Sequence, residues 1–138
     1  MHVLLAALAL IAPATERDVG HGLALRVPPG WHLLDRRLTP CVNPIERVDV
    51  AGPGGSLLML QEALDRKYVD RFPRRSRRFR VRGHAEFLVC CGARSYGKGW
   101  MLPFRDGGRS FYAYVYPGGG SPRPLLAILD SLRVTPPR

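Results

Sequence analysis

The residues best suited to chemistry in this sequence are arginines. Seven of them fall within residues 71–82 (RFPRRSRRFRVR), a segment that contains no acidic side chain. A guanidinium group donates paired hydrogen bonds to phosphate or carboxylate oxygens, so this cluster favours binding of an anionic partner. The alternative is a solvated arginine-rich face without a partner, because a run of charge alone is weak evidence of a site. The candidate anion-binding residues are Arg74, Arg75, Arg77, Arg78, Arg80 and Arg82.

A second candidate surface is aromatic. Tyr112, Tyr114 and Tyr116 lie at every second position of a predicted strand and could stack on bases or sugar rings beside the arginines. Tyrosine also suits a half-buried position under a helix or loop, with its hydroxyl group at the rim. The sequence favours this second interpretation.

Three cysteines, Cys41, Cys90 and Cys91, could serve structure or chemistry. A bridge from Cys41 to Cys90 or Cys91 would close a loop of about 50 residues and stabilise the fold by about 4 kcal/mol. Three buried, unpaired thiols are an equally good interpretation. In a thiol-dependent enzyme His84 would activate a thiolate, yet an extended strand would place His84 about 20 Å from Cys90. Motifs such as CxxC, HExxH and GxSxG are absent, so we expect no catalytic residue, metal or cofactor.

The first residues indicate export. The apolar run at residues 3–12 (VLLAALALIA) and the small residues around Pro13 are typical of the h-region and cleavage site of a signal peptide. The sequence therefore predicts a signal peptide at 1–14 and a single domain at 15–138, with a core at about 20–134 and a Pro-rich tail at 135–138. A chain of 138 residues with 46% hydrophobic side chains suits one globular domain. We expect no transmembrane anchor after cleavage.

Charge and compartment together define the expected partner. Lys and Arg number 21 against 11 acidic residues, for a net charge of +10. An exported protein meets lipid headgroups, cell-wall polymers and acidic proteins, whereas nucleic acid becomes the default polyanion if the signal is not real. The sequence thus predicts a non-catalytic exported monomer that docks an anionic envelope component or an acidic protein. A redox protein or thiol-dependent enzyme using Cys90 or Cys91, and a nucleic-acid binder, are the alternatives.

Hydrophobic periodicity predicts an α+β sandwich: a mostly antiparallel sheet of six to eight strands with a C-terminal amphipathic helix and one shorter helix packed on it. The shorter helix spans about two turns within residues 62–72, and the C-terminal one follows a cap at Ser121. A two-residue turn at Gly107-Gly108 would place Phe104 opposite Phe111 and make one hairpin face apolar. Predicted strands occupy residues 22–27, 31–34, 46–51, 56–60, 78–82, 86–91, 100–105 and 109–116.

Both ends of the domain resemble a known family. Residues 22–31 (GLALRVPPGW) and 129–134 (LDSLRV) are similar to the opening strand and the closing helix and strand of PsbP/Mog1-like domains. The resemblance implies an α/β/α sandwich in which Pro28, Gly30 and Trp31 shape the first turn and Ser131 and Leu132 seat the last helix. Members include photosystem accessory subunits, small GTPase partners and exported proteins of unknown role, which implies a binding scaffold more often than an enzyme. The resemblance does not extend to the cysteines or the arginines.

Overall fold

The structure is a computed structural model that describes residues 13–34, 47–63, 70–90 and 94–136. Within these ranges the chain forms nine strands, one α-helix and a short 3-10 helix, and residues 70–71 also have 3-10 geometry. In chain order they are β1 (Thr15–Gly20), β2 (Leu23–Val27), β3 (His32–Leu34), β4 (Arg47–Ala51), the 3-10 helix (Pro53–Gly55), β5 (Leu57–Ala63), β6 (Glu86–Cys90), β7 (Arg94–Asp106), β8 (Arg109–Tyr116), α1 (Arg123–Asp130) and β9 (Arg133–Val134).

The strands form two antiparallel sheets. The larger sheet has the order β3-β4-β5-β8-β7-β6, and the smaller has the order β1-β2-β9. One face of the larger sheet packs against β2 and α1, so that the core lies between the two sheets and the helix. Its fully buried side chains include Leu25, Leu58, Phe104, Phe111, Val115, Leu125 and Leu129. The mostly antiparallel α+β architecture predicted from periodicity is confirmed.

The β7–β8 hairpin has the predicted register. Phe104 lies opposite Phe111, and the two rings stack with their centroids 5.2 Å apart. Gly107 and Gly108 have φ values of 59° and 72°, and a type I′ hairpin turn requires positive φ at both central positions. The hairpin pairs residues 100–106 of β7 with β8 along one edge of β7.

The C-terminal helix also follows its sequence pattern. Ser121 Oγ accepts a hydrogen bond from the Arg123 N–H at 3.2 Å, while Leu125, Ile128 and Leu129 are buried. At the other end Ser131 Oγ accepts from the Arg26 N–H at 2.8 Å, which joins the helix end to β2. The helix is thereby held against the smaller sheet.

Three details differ from the prediction. Residues 78–82 form no strand, because the Phe79 N–H donates to Asp130 Oδ1 at 2.7 Å instead of joining a ladder. The predicted helix at 62–72 is wrong at its start, because Glu62 and Ala63 continue β5. Residues 64–69 of that prediction lie outside the described ranges. The described part thus has one α-helix, and nine strands instead of six to eight. The additional β1 has mostly exposed residues, which leave no apolar period to detect.

Other predictions fall outside the described residues. They concern residues 1–12 of the predicted signal peptide, Cys41 and Cys91. The side chain of Cys90 is not described either. The disulfide therefore stays a prediction. In the described ranges no helix is long and apolar enough to span a membrane.

Candidate anion-binding site

The arginine-rich segment runs beside the edge of β7 and is anchored to it at one end by main-chain hydrogen bonds. The Arg105 N–H donates to the Pro73 carbonyl at 2.8 Å, and the Arg75 N–H donates to the Arg105 carbonyl at 3.0 Å. These bonds form an isolated parallel bridge between Arg74 and Arg105. One end of the segment is therefore fixed by the sheet itself.

Aromatic side chains hold the rest of the segment. Phe79 is 8% exposed and meets Phe104 edge to face, with ring centroids 4.9 Å apart. Farther along, Trp100 Nε1 donates to the Gly83 carbonyl at 3.3 Å. The strand predicted at residues 78–82 would alternate inward and outward side chains, and this alternation is present without a strand. Phe79 is buried, while Arg78 and Arg80 on either side of it are exposed.

A groove of about 1120 Å³ lies between this segment and β7. Among the residues that the structure describes, no acidic side chain lines it. We call it the arginine groove, and define it by Arg74, Arg77, Arg78, Arg80 and Arg82 on one side and by residues 100–104 of β7 on the other. Its apolar wall includes Met101, of which 43% is exposed. The groove therefore offers cationic donors beside an apolar surface.

The five groove arginines are exposed. Three other arginines form ion pairs: Arg75 with Asp106, Arg109 with Glu62 and Arg133 with Glu16. No carboxylate of the described ranges is bonded to a guanidinium of the groove. Five cationic groups on one anchored segment raise the local concentration of anions and can donate bidentate hydrogen bonds to them.

Arg75 differs from the groove arginines because its guanidinium is hydrogen-bonded within the fold. Its guanidinium lies near the C-terminal end of α1, where Nη1 donates to the Leu132 carbonyl at 2.6 Å and Nη2 donates to the Asp130 carbonyl at 2.9 Å. Nη1 also contacts Asp106 Oδ2 at 2.9 Å. Of the six arginines predicted to bind a partner, Arg75 is thus the one whose donors are engaged within the fold.

Arg105 is a basic residue of this region that the sequence did not single out. It lines a second hollow of about 560 Å³ at the β7–β8 turn, together with Arg74, Arg77 and Gly107. Its Nε atom is buried and has no hydrogen-bond partner among the described residues. Arg105 follows the β7 wall of the groove, and the bridge joins it to Arg74, a contact between distant residues for which periodicity carries no signal.

The three tyrosines do not form an exposed stacking surface. Tyr116 is fully buried, and Tyr112 and Tyr114 are partly buried. The ring of Tyr112 meets Phe72 edge to face at 5.0 Å, and that of Tyr114 is parallel to Tyr116 at 6.4 Å. The half-buried interpretation of these residues therefore fits the structure better than base or sugar stacking.

The residues considered for a thiol or metal site are not brought together in the described ranges. His84 is exposed in the loop before β6, and Glu86 is exposed at the start of that strand. Within the described part of the chain, no group of three His, Cys, Asp or Glu residues could hold a metal ion.

Comparison with known proteins adds no further assignment. No family model, no curated protein and no solved structure matches this chain. The similarity of the two ends to PsbP/Mog1-like domains therefore stays a prediction.

Proposed function

We propose that this chain is a non-catalytic binding domain that docks an anionic partner in the arginine groove. The observation that carries the proposal is the set of five exposed guanidinium groups along a groove that no acidic residue of the described ranges lines. A carboxylate, phosphate or sulfate polymer supplies oxygen acceptors for these donors.

The anchoring of the segment supports binding by a prepared surface. The Arg74–Arg105 bridge and the buried Phe79 fix the backbone that carries the arginines, so binding orders mainly side chains. The net charge of +10 acts over a longer range and accelerates encounter with a polyanion. Affinity and association rate should both fall as salt screens these charges.

We also propose that the protein is exported and that its partner is an envelope polymer, a lipid headgroup or an acidic protein. This part rests on residues 3–12 and the small residues that follow them. N-terminal sequencing of the protein made in its own host tests it. A mature chain that starts at Thr15 supports export, whereas an intact Met1 contradicts it and makes nucleic acid the polyanion to test.

The binding proposal is tested with fluorescently labelled polyglutamate and polyphosphate. Titration by anisotropy should show saturable binding whose affinity falls at least about tenfold between about 50 and 500 mM NaCl. Arg77→Ala with Arg78→Ala should weaken binding in low salt, while the matched pair Arg17→Ala with Arg26→Ala, exposed on β1 and β2, should have a small effect. An affinity that changes neither with salt nor with the groove substitutions would overturn the proposal.

A further inference from the structure

The edge of β7 is incompletely paired where it borders the arginine groove. β7 pairs with β8 from Trp100 to Asp106. On its opposite edge the ladder to β6 ends at the pair of Glu86 with Gly99, and the next contact is the Arg74–Arg105 bridge. Residues 100–104 therefore have a strand neighbour on one side only, among the residues that the structure describes.

The main-chain groups that face the groove can be identified from the ladder. In an antiparallel pair the hydrogen-bonding direction alternates along each strand. The N–H and C=O groups of Arg105 point away from β8, since they bond to Pro73 and Arg75. The N–H and C=O groups of Met101 and the C=O group of Pro103 point the same way, and no described residue bonds to them. Proline is tolerated at such an outward position, where a central strand would need its N–H.

We propose that the partner of the arginine groove is an acidic polypeptide segment that binds in extended conformation as an additional strand on β7. This inference rests on the function proposed above. Main-chain bonds to Met101 and Pro103 would supply affinity, and alternate acidic side chains would meet Arg77, Arg78 and Arg80. At about 3.3 Å per residue, the stretch between Gly99 and Arg105 admits about five residues.

The same features disfavour other occupants. A second copy of this chain would bring two arginine-rich edges together, and cationic side chains on an open edge oppose such pairing. A lipid headgroup or a polyphosphate would satisfy the guanidinium groups but offers no N–H and C=O pattern for Met101 and Pro103. An acidic peptide supplies both.

The experiment uses a peptide of about six residues that alternates Glu and Val and has both ends blocked. Two derivatives carry N-methyl groups, one on the amides of the Glu residues and the other on the amides of the Val residues. Charge is the same in all three peptides. We expect one N-methylated set to bind at least about tenfold more weakly and the other to bind almost as the parent does, because only one set faces β7. In hydrogen exchange, the Met101 amide should become protected when the parent peptide saturates the protein.

Two protein variants make a matched pair. Met101→Pro removes the outward N–H and leaves the bonds to β8, whereas Met101→Leu keeps it. Relative to the unaltered protein, Met101→Pro should bind the peptide more weakly and Met101→Leu should bind it equally well. Both variants should bind polyphosphate as the unaltered protein does. Circular dichroism checks that both variants fold, and the methylated peptides test the unaltered protein in any case.

The outcomes separate this inference from the function on which it rests. If all three peptides bind equally and the Met101 amide stays unprotected, strand addition is wrong, although salt-sensitive binding would still support an anion-docking groove. If neither peptides nor polyphosphate bind, the proposed function fails as well.

Discussion

Arg75 and Asp106 form an ion pair of 2.9 Å that joins the arginine segment to the β7–β8 turn. The same guanidinium donates to the carbonyls of Asp130 and Leu132 at the end of α1, where the partial negative charge of the helix dipole favours a cation. One side chain thus connects three parts of the fold. Arg75 therefore fixes the segment within the fold, while its exposed neighbours line the groove.

Replacement of Arg75 should lower stability. Arg75→Ala removes hydrogen bonds from a charged donor that is 18% exposed, so we expect the free energy of unfolding to fall by about 2–3 kcal/mol. Arg77→Ala, which removes an exposed arginine two residues away, should change it by less than about 0.5 kcal/mol. Urea denaturation measures both. Equal stabilities of the two variants would show that the Arg75 contacts contribute nothing.

The ion pair of Arg109 with Glu62 predicts that substitutions of these two residues have non-additive effects on stability. Arg109 Nε and Nη2 donate to the two carboxylate oxygens at 2.7 and 2.6 Å, and the side chains are only 9% and 12% exposed. Arg109→Ala should therefore cost about 3–5 kcal/mol, because it leaves a carboxylate with little access to water and without its cation. Adding Glu62→Leu should recover part of this loss in a double-mutant cycle. A second substitution that only adds further loss would contradict the coupling.

A close contact between Gly52 and Trp31 predicts a steric effect. A Cβ atom at Gly52 would lie 2.4 Å from the Trp31 ring, so the indole must move. Gly52→Ala should reduce the unfolding free energy by about 1–3 kcal/mol and shift tryptophan emission to the red. Gly119→Ala is the control, since nothing lies within 4 Å of its Cβ position. Unchanged emission and stability in Gly52→Ala would be inconsistent with this packing.

The elements predicted best are those determined by residues that lie close together in the sequence. The Gly107-Gly108 turn determines which residues of β7 and β8 face each other, so the pairing of Phe104 with Phe111 follows from the turn alone. The C-terminal helix likewise follows from its apolar stripe, whose Leu125, Ile128 and Leu129 are buried. The exposure of Arg78 and Arg80 beside the buried Phe79 was also predictable, because alternation reports side-chain direction even where no ladder forms.

The rest depends on contacts between residues that are distant along the chain. Phe79 donates its N–H to Asp130, a residue 51 positions away, and this replaces the strand that the alternation favours. The engagement of Arg75 with α1 and the approach of Arg105 to Arg74 have the same origin. Composition and period treat the six candidate arginines alike, so they could not separate a residue that stabilises the fold from those that face the groove.

The most direct test of the central claim compares two variants of equal net charge. One carries Arg78→Ala, Arg80→Ala and Arg82→Ala in the groove, and the other carries Arg17→Ala, Arg26→Ala and Arg123→Ala at exposed positions elsewhere. Dissociation constants for polyglutamate are measured in the same low-salt buffer. A local site predicts at least about tenfold weaker binding for the groove variant and less than about threefold for the control. Equal losses in both variants would show that binding depends only on net charge and would contradict the arginine groove as a site.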